Sequence, residues 1–124
     1  MAYLPHKYKR PGGVSVTIAD IDLVAQRYQR TDYPIPKYIQ FCKKALESGY
    51  NVKLYEAQHT VSKYVTVCHG KKRFKVRFSN HKPIPEKELQ GTCDFFVGIT
   101  NYKITTTNEA WETMKKYFDE GLDE

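Results

Sequence analysis

The sequence predicts an α+β fold: an antiparallel, hairpin-rich sheet with N-terminal helices and a C-terminal helix packed on one face. Three observations carry this. Apolar residues recur at helical spacing over about 18–46 and again over 110–118, the segment from Asn51 to Phe78 alternates with a period of two, and short turn sequences interrupt that alternation. With 124 residues, 40% of them hydrophobic and ten of them Tyr, the chain suits one folded unit with a modest core.

MAYLPHKYKRPGG (1–13) reads as a basic flexible arm, because Pro5, Pro11, Gly12 and Gly13 deny it regular structure, and a single domain is expected over 14–124. Thr17 and Asp20 have capping-box spacing and open a helix over about Ile18–Arg30, with Ile21, Val24, Ala25 and Tyr28 on one side. Asp32-Tyr33-Pro34-Ile35-Pro36 breaks it, and Pro36 suits the first turn of a second helix. That helix carries Tyr38, Phe41, Cys42, Ala45 and Leu46 on one face and stops at Ser48-Gly49. Strands follow over Asn51–Ala57, Val61–Cys68 and Lys72–Phe78, the last two joined by a turn at His69-Gly70. Lys82-Pro83-Ile84-Pro85 ends the hairpin, and Cys93–Thr100 reads as a buried strand in which Gly98 marks a bulge or a close backbone approach. Thr106 and Glu109 cap a final helix with Ala110, Trp111, Met114, Tyr117 and Phe118 on one face.

Composition narrows the chemistry. No apolar run has membrane-spanning length, and the first residues lack the apolar core of a secretory signal. Cys42, Cys68 and Cys93 are odd in number and widely spaced, which fits reduced thiols in a cytoplasm rather than a disulfide framework. No phosphate-binding glycine loop and no zinc spacing is present, so neither a cofactor nor a metal is expected. The charge is segregated: residues 1–82 hold 16 Lys/Arg against 5 Asp/Glu, whereas residues 83–124 hold 4 against 9. Such polarity favours phosphate-bearing or acidic partners.

A turn at His69-Gly70 sets a register. It places Val61 opposite Phe78, Val65 opposite Phe74 and Val67 opposite Lys72 on the core side. On the other side it sets Ser62 opposite Arg77, Tyr64 opposite Lys75 and Thr66 opposite Arg73. The expected ligand-binding residues are therefore Ser62, Tyr64, Arg73, Lys75, Arg77, Ser79, Asn80 and His81, with Lys7, Lys9 and Arg10 of the arm as nucleic-acid contacts. Arg77 is expected to clamp a phosphate bidentately beside Ser62, Tyr64 to stack on a base, and Lys75 and Arg73 to supply field. The plain alternative is a hydrated sheet face whose cations keep the protein soluble. His6, His59, His69 and His81 keep acid–base chemistry open, but no second placed base accompanies His81.

Ser62-Lys63-Tyr64 and Lys75-Val76-Arg77-Phe78-Ser79-Asn80-His81 together resemble a pattern of small phage and mobile-element proteins. In these a Ser-x-Tyr strand precedes a strand ending in Arg-x-Ser-(Asp or Asn)-His. Asn80 stands where many relatives carry Asp, so no carboxylate role carries over. The resemblance implies a small protein of the host cytoplasm that binds nucleic acid, sequesters a signalling nucleotide or antagonises a host defence complex. The expected function is thus a non-enzymatic binder of a nucleic acid or small nucleotide. A homo-oligomer is expected where the ligand is small, since one hairpin cannot close a pocket. Two alternatives stand: a protein–protein inhibitor of a host nucleic-acid-handling or defence complex, and a small metal-independent nuclease or phosphodiesterase using His81.

Overall fold

The computed structural model describes residues 13–32, 35–57, 62–78 and 92–120. In chain order these form β1 (Val14–Val16), α1 (Ile18–Gln29), α2 (Lys37–Glu47), β2 (Asn51–Glu56), β3 (Lys63–His69), β4 (Lys72–Phe78), β5 (Thr92–Val97), β6 (Thr100–Thr106) and α3 (Thr107–Glu120). The six strands make one antiparallel sheet in sequence order, so each strand lies beside its neighbours in the chain. This is the α+β arrangement expected from the sequence. No helix among the described residues is long and apolar enough to cross a membrane.

Local chemistry sets the helix limits. At the start of α1 the Thr17 hydroxyl accepts the Asp20 N–H at 3.2 Å while the Asp20 carboxylate accepts the Thr17 N–H at 2.9 Å, so two otherwise orphaned donors are satisfied. Thr106 serves α3 in the same way, accepting the Glu109 N–H at 3.1 Å. Pro36 occupies the N-cap of α2 rather than its first turn. The helix closes as a Schellman motif, with Gly49 at φ +94° and the N–H of Tyr50 reaching the carbonyl of Ala45 at 3.1 Å.

α2 and α3 pack on one face of the sheet, and α1 packs beside α2 in the same core. Val52, Leu54, Val65, Val67, Phe74, Val76 and Phe78 line that face and are almost fully buried. Phe41 of α2 is the junction of the core, edge-on to both Phe78 (6.0 Å) and Trp111 of α3 (5.3 Å). The hydroxyls of Tyr28 and Tyr38 meet at 2.8 Å in the core and tie α1 to α2. Lys72 crosses to the end of α3, where its ammonium donates to the carbonyls of Tyr117 (3.0 Å) and Phe118 (3.3 Å) and complements the negative helix terminus.

Three strand-level expectations are corrected. The β3–β4 turn is Gly70-Lys71, not His69-Gly70, because His69 pairs with Lys72. Gly70, at φ +62°, takes the left-handed backbone that the first turn position requires. Cross-strand partners therefore shift by two residues, so Tyr64 faces Arg77 and Thr66 faces Lys75, while the paired side chains of β3 and β4 keep their expected faces. The run Cys93–Thr100 is not one strand. Gly98-Ile99 is a tight turn with Gly98 at φ +63°, and the sheet continues into β6. The bulge lies earlier, between Cys93 and Phe95. β1 lies between the arm and the first helix, where the sequence reading assigns no element, and there Val14 and Val16 pair with Leu54 and Val52.

Lys63 and Glu56 form an ion pair at 3.2 Å with side chains only 5% and 8% exposed, on the core side of the sheet. Removing Lys63 takes a buried ion-pair partner away from Glu56. Lys63→Met is therefore expected to cost about 3–5 kcal/mol, and the double substitution Lys63→Met, Glu56→Leu to recover most of it in urea unfolding. The cysteines give a second check. Burial pushes the Cys42 thiol far up, and burial together with nearby Asp94 pushes Cys93 up to about 12, so both stay protonated at pH 8. A thiol reagent at pH 8 should then label Cys68, which is half-buried on the outer face, and reach the other two only on unfolding.

Candidate functional site

The helices leave the second face of the sheet uncovered among the described residues, and the strand registers arrange its side chains in three rows. The first runs Tyr55, Tyr64, Arg77, Asp94 across β2 to β5. The second runs Ser15, Lys53, Thr66, Lys75, Phe96, Asn101 across the whole sheet. The third contains Asn51, Cys68 and Arg73, and Gly98 of the β5–β6 turn comes next to it. Successive rows lie about 6.8 Å apart, two strand residues.

Arg77 and Asp94, paired directly across β4 and β5, form a two-pronged ion pair. The Arg77 Nε donates to Asp94 Oδ1 at 3.0 Å and a terminal guanidinium nitrogen donates to Oδ2. This bonding, and a further hydrogen bond with Tyr64, raises the Arg77 pKa above its ordinary value. Asp94 is 6% and Arg77 21% exposed along the side chain, so the pair is mostly withdrawn from water. The guanidinium fork expected to grip a phosphate is thus already holding a carboxylate.

Lys75 holds the centre of the face. Its ammonium lies over the Tyr64 ring at 5.6 Å and over the Phe96 ring at 5.1 Å, between two aromatic faces. Tyr55 stands against Tyr64 with ring centroids 5.5 Å apart, and the Arg77 guanidinium lies 5.6 Å from the Phe96 ring. Tyr55, Tyr64, Thr66, Arg73, Lys75, Phe96 and Gly98 line an open cavity of about 510 Å³. That volume lies within the range of small-molecule and nucleotide sites. Gly98 also lines the cavity, and a Cβ there would meet no atom of the described residues within 4 Å.

Of the residues expected from the sequence, Tyr64, Arg73 and Lys75 line this cavity together. Arg77 borders it but is committed to Asp94. Ser62 does not reach it. That residue is 6% exposed and precedes β3, and its carbonyl accepts the Ala57 N–H at 3.1 Å to close the β2–β3 connection. Ser79, Asn80 and His81, and Lys7, Lys9 and Arg10 of the arm, lie outside the described residues. Tyr55, Thr66, Phe96 and Gly98 line the cavity but are absent from the expected set; the sequence register sets Thr66 on this face without a ligand role, and it does not place Tyr55 or Phe96 there at all. The alternation Lys53-Leu54-Tyr55 and the spacing Asp94-x-Phe96 carry that information, but only once β2 and β5 are known to flank the hairpin. No group of three His, Cys, Asp or Glu side chains among the described residues is placed to hold a metal ion.

No family model matches the chain, and no curated protein or solved structure matches it either.

The unequal burial of the ion pair gives an expected order of stabilities. Arg77→Ala strands the better-buried carboxylate and should cost about 3 kcal/mol or more, whereas Asp94→Ala leaves a partly hydrated guanidinium and should cost about 1–2 kcal/mol. Urea unfolding of the two variants reads the difference, and equal costs would contradict the asymmetry.

Proposed function

We propose that the protein binds, without transforming it, a ligand that carries both phosphate and base: a nucleic acid or a nucleotide. The observation that carries this reading is the meeting of three ring-bearing side chains with Arg73 and Lys75 around one open cavity, on a sheet face that no described residue covers. Cations alone would suit any anion, and rings alone any apolar surface. Their interleaving matches a ligand whose anionic links alternate with flat, stackable groups.

Binding rather than turnover is supported by the state of Asp94, the carboxylate on the described part of the face. Arg77 holds it in a fork, so both of its oxygens are already engaged within the protein. Arg73 is exposed, and among the described residues Lys75 is held by ring contacts, so both ammonium and guanidinium can turn to a phosphate at small cost. Lys53, in the row of Lys75, extends the positive field toward β1.

The test is a fluorescence-anisotropy titration with labelled DNA and RNA oligonucleotides and with mononucleotides at about 50 mM salt, where phosphate contacts are least screened. Binding is expected, and Arg73→Gln and Lys75→Gln should each lower affinity several-fold. Each should also reduce the slope of log K against log salt by about 0.7–0.9 if the ligand is a nucleic acid. Salt-insensitive binding of one mononucleotide would select the nucleotide form. Absence of binding by the unmodified protein to every one of these ligands would refute the proposal.

A further inference from the structure

We infer that the ligand strand is unpaired where it meets the protein, and that the face receives two consecutive nucleotides, one base on Tyr64 and the next on Phe96. This rests on the reading above and specifies it.

The argument begins with what the two rings present. Lys75 is 5.6 Å from one ring centre and 5.1 Å from the other, and it lies over the rings rather than at their edges. Both ring faces are therefore turned toward the space the ammonium occupies. In a duplex the base faces are consumed by stacking within the helix, and only edges and phosphates reach the surface. A protein that offers ring faces meets matching ligand faces only on an unpaired strand. The face is also a sheet without a protruding helix or ribbon among its described residues, so nothing there is shaped to enter a groove.

The layout of the cavity then sets its contents. Tyr64 stands on β3 in the first row and Phe96 on β5 in the second, with Lys75 on the strand between them. Two stations flanking one cation fit two bases and the phosphate that links them. Lys75 serves as a cover for the ring faces in the free protein. When bases stack, the ammonium is displaced from the rings and moves to the linking phosphate, exchanging a cation–π contact for a charge-assisted hydrogen bond. Arg73 lies one row further along β4, toward the Gly98 side of the cavity, where the missing side chain leaves room for the next phosphate. Tyr55 backs the Tyr64 ring, and Arg77, fixed by Asp94, borders both stations. Arg77 is thus a positioning residue rather than a phosphate ligand.

The test compares one labelled oligonucleotide as a single strand and as its blunt duplex, in DNA and in RNA form, with the full-length protein. The single strand should bind at least about tenfold more tightly than the duplex. Tyr64→Leu and Phe96→Leu should each lower single-strand affinity by roughly tenfold, as loss of one stacked base does. Tyr64→Phe and Phe96→Tyr, which keep a ring, should restore it. Photocrosslinking of a strand carrying 5-iodouracil should map to Tyr64 or Phe96. Duplex binding as tight as single-strand binding would overturn the inference while leaving the broader reading in place, provided Arg73→Gln and Lys75→Gln still weaken it. Unchanged single-strand affinity in both leucine variants would overturn the inference as well. The strandedness comparison needs only the unmodified protein, so it decides the matter even where a variant folds poorly. Failure to bind any nucleic acid or nucleotide would instead refute the broader reading.

Discussion

Burial of Phe74, Val76 and Phe78 beneath the helices determines what the rest of β4 must do. A strand turns successive side chains to opposite faces, so fixing these three in the core commits Arg73, Lys75 and Arg77 to the other side. Pairing transmits the commitment outward. β3 must bring Val65 and Val67 to Val76 and Phe74, which sends Tyr64 and Thr66 outward beside the cations. β5 must bring Phe95 to Val76, which sends Asp94 and Phe96 outward in turn. The composition of the open face is thus a by-product of core packing on the other face, relayed by backbone hydrogen bonds. Phe41 and Trp111 hold this arrangement from behind, because their edge-on contacts join α2 and α3 over Phe78.

Three cations on alternate positions of one strand repel one another, and the structure relieves that repulsion differently at each. Arg77 is neutralised by a carboxylate directly across the ladder. Lys75 is placed over two aromatic rings, whose quadrupoles offset part of its charge. Arg73 is left to water. The strand thus carries a graded series from a committed cation to an available one. The acid that commits Arg77 comes from β5, in the part of the chain where Asp and Glu outnumber Lys and Arg. The segregation of charge along the sequence does not survive as two separate halves of the sheet.

The sequence was legible where a local rule acted alone. Capping residues placed the starts of α1 and α3, and alternation placed the side chains of β2, β3 and β4 on their correct faces. It was less legible where two local rules competed. His69-Gly70 and Gly70-Lys71 are both plausible two-residue turns, and face assignment cannot separate them, because either choice preserves parity. Gly98 satisfied the rule for a bulge and the rule for a turn equally well, and the run of apolar residues around it favoured the wrong one. Three residues suffice for β1 because Leu54 and Val52 are already positioned to receive Val14 and Val16, a fact held by the partner strand. The candidate site failed in one respect for the same reason. Whether Arg77 is available depends on Asp94, seventeen residues away in the chain and adjacent only once β4 and β5 pair. Tyr55 and Phe96 entered the site by the same non-local route.

The sequential order of the strands bears on how the chain reaches this state. β3–β4 and β5–β6 are closed by two-residue turns, so their contacts cost little chain entropy to form. β1 differs, because 34 residues containing both N-terminal helices separate it from β2. Closing that excursion costs on the order of 2 kcal/mol more than a tight turn before any helix has shortened it. The sheet is therefore best assembled from its middle outward, with α1 and α2 collapsing onto β2 and β3 before Val14 and Val16 are drawn in. The edge that sets Ser15 beside Lys53 is then expected to be the last part of the open face to be completed.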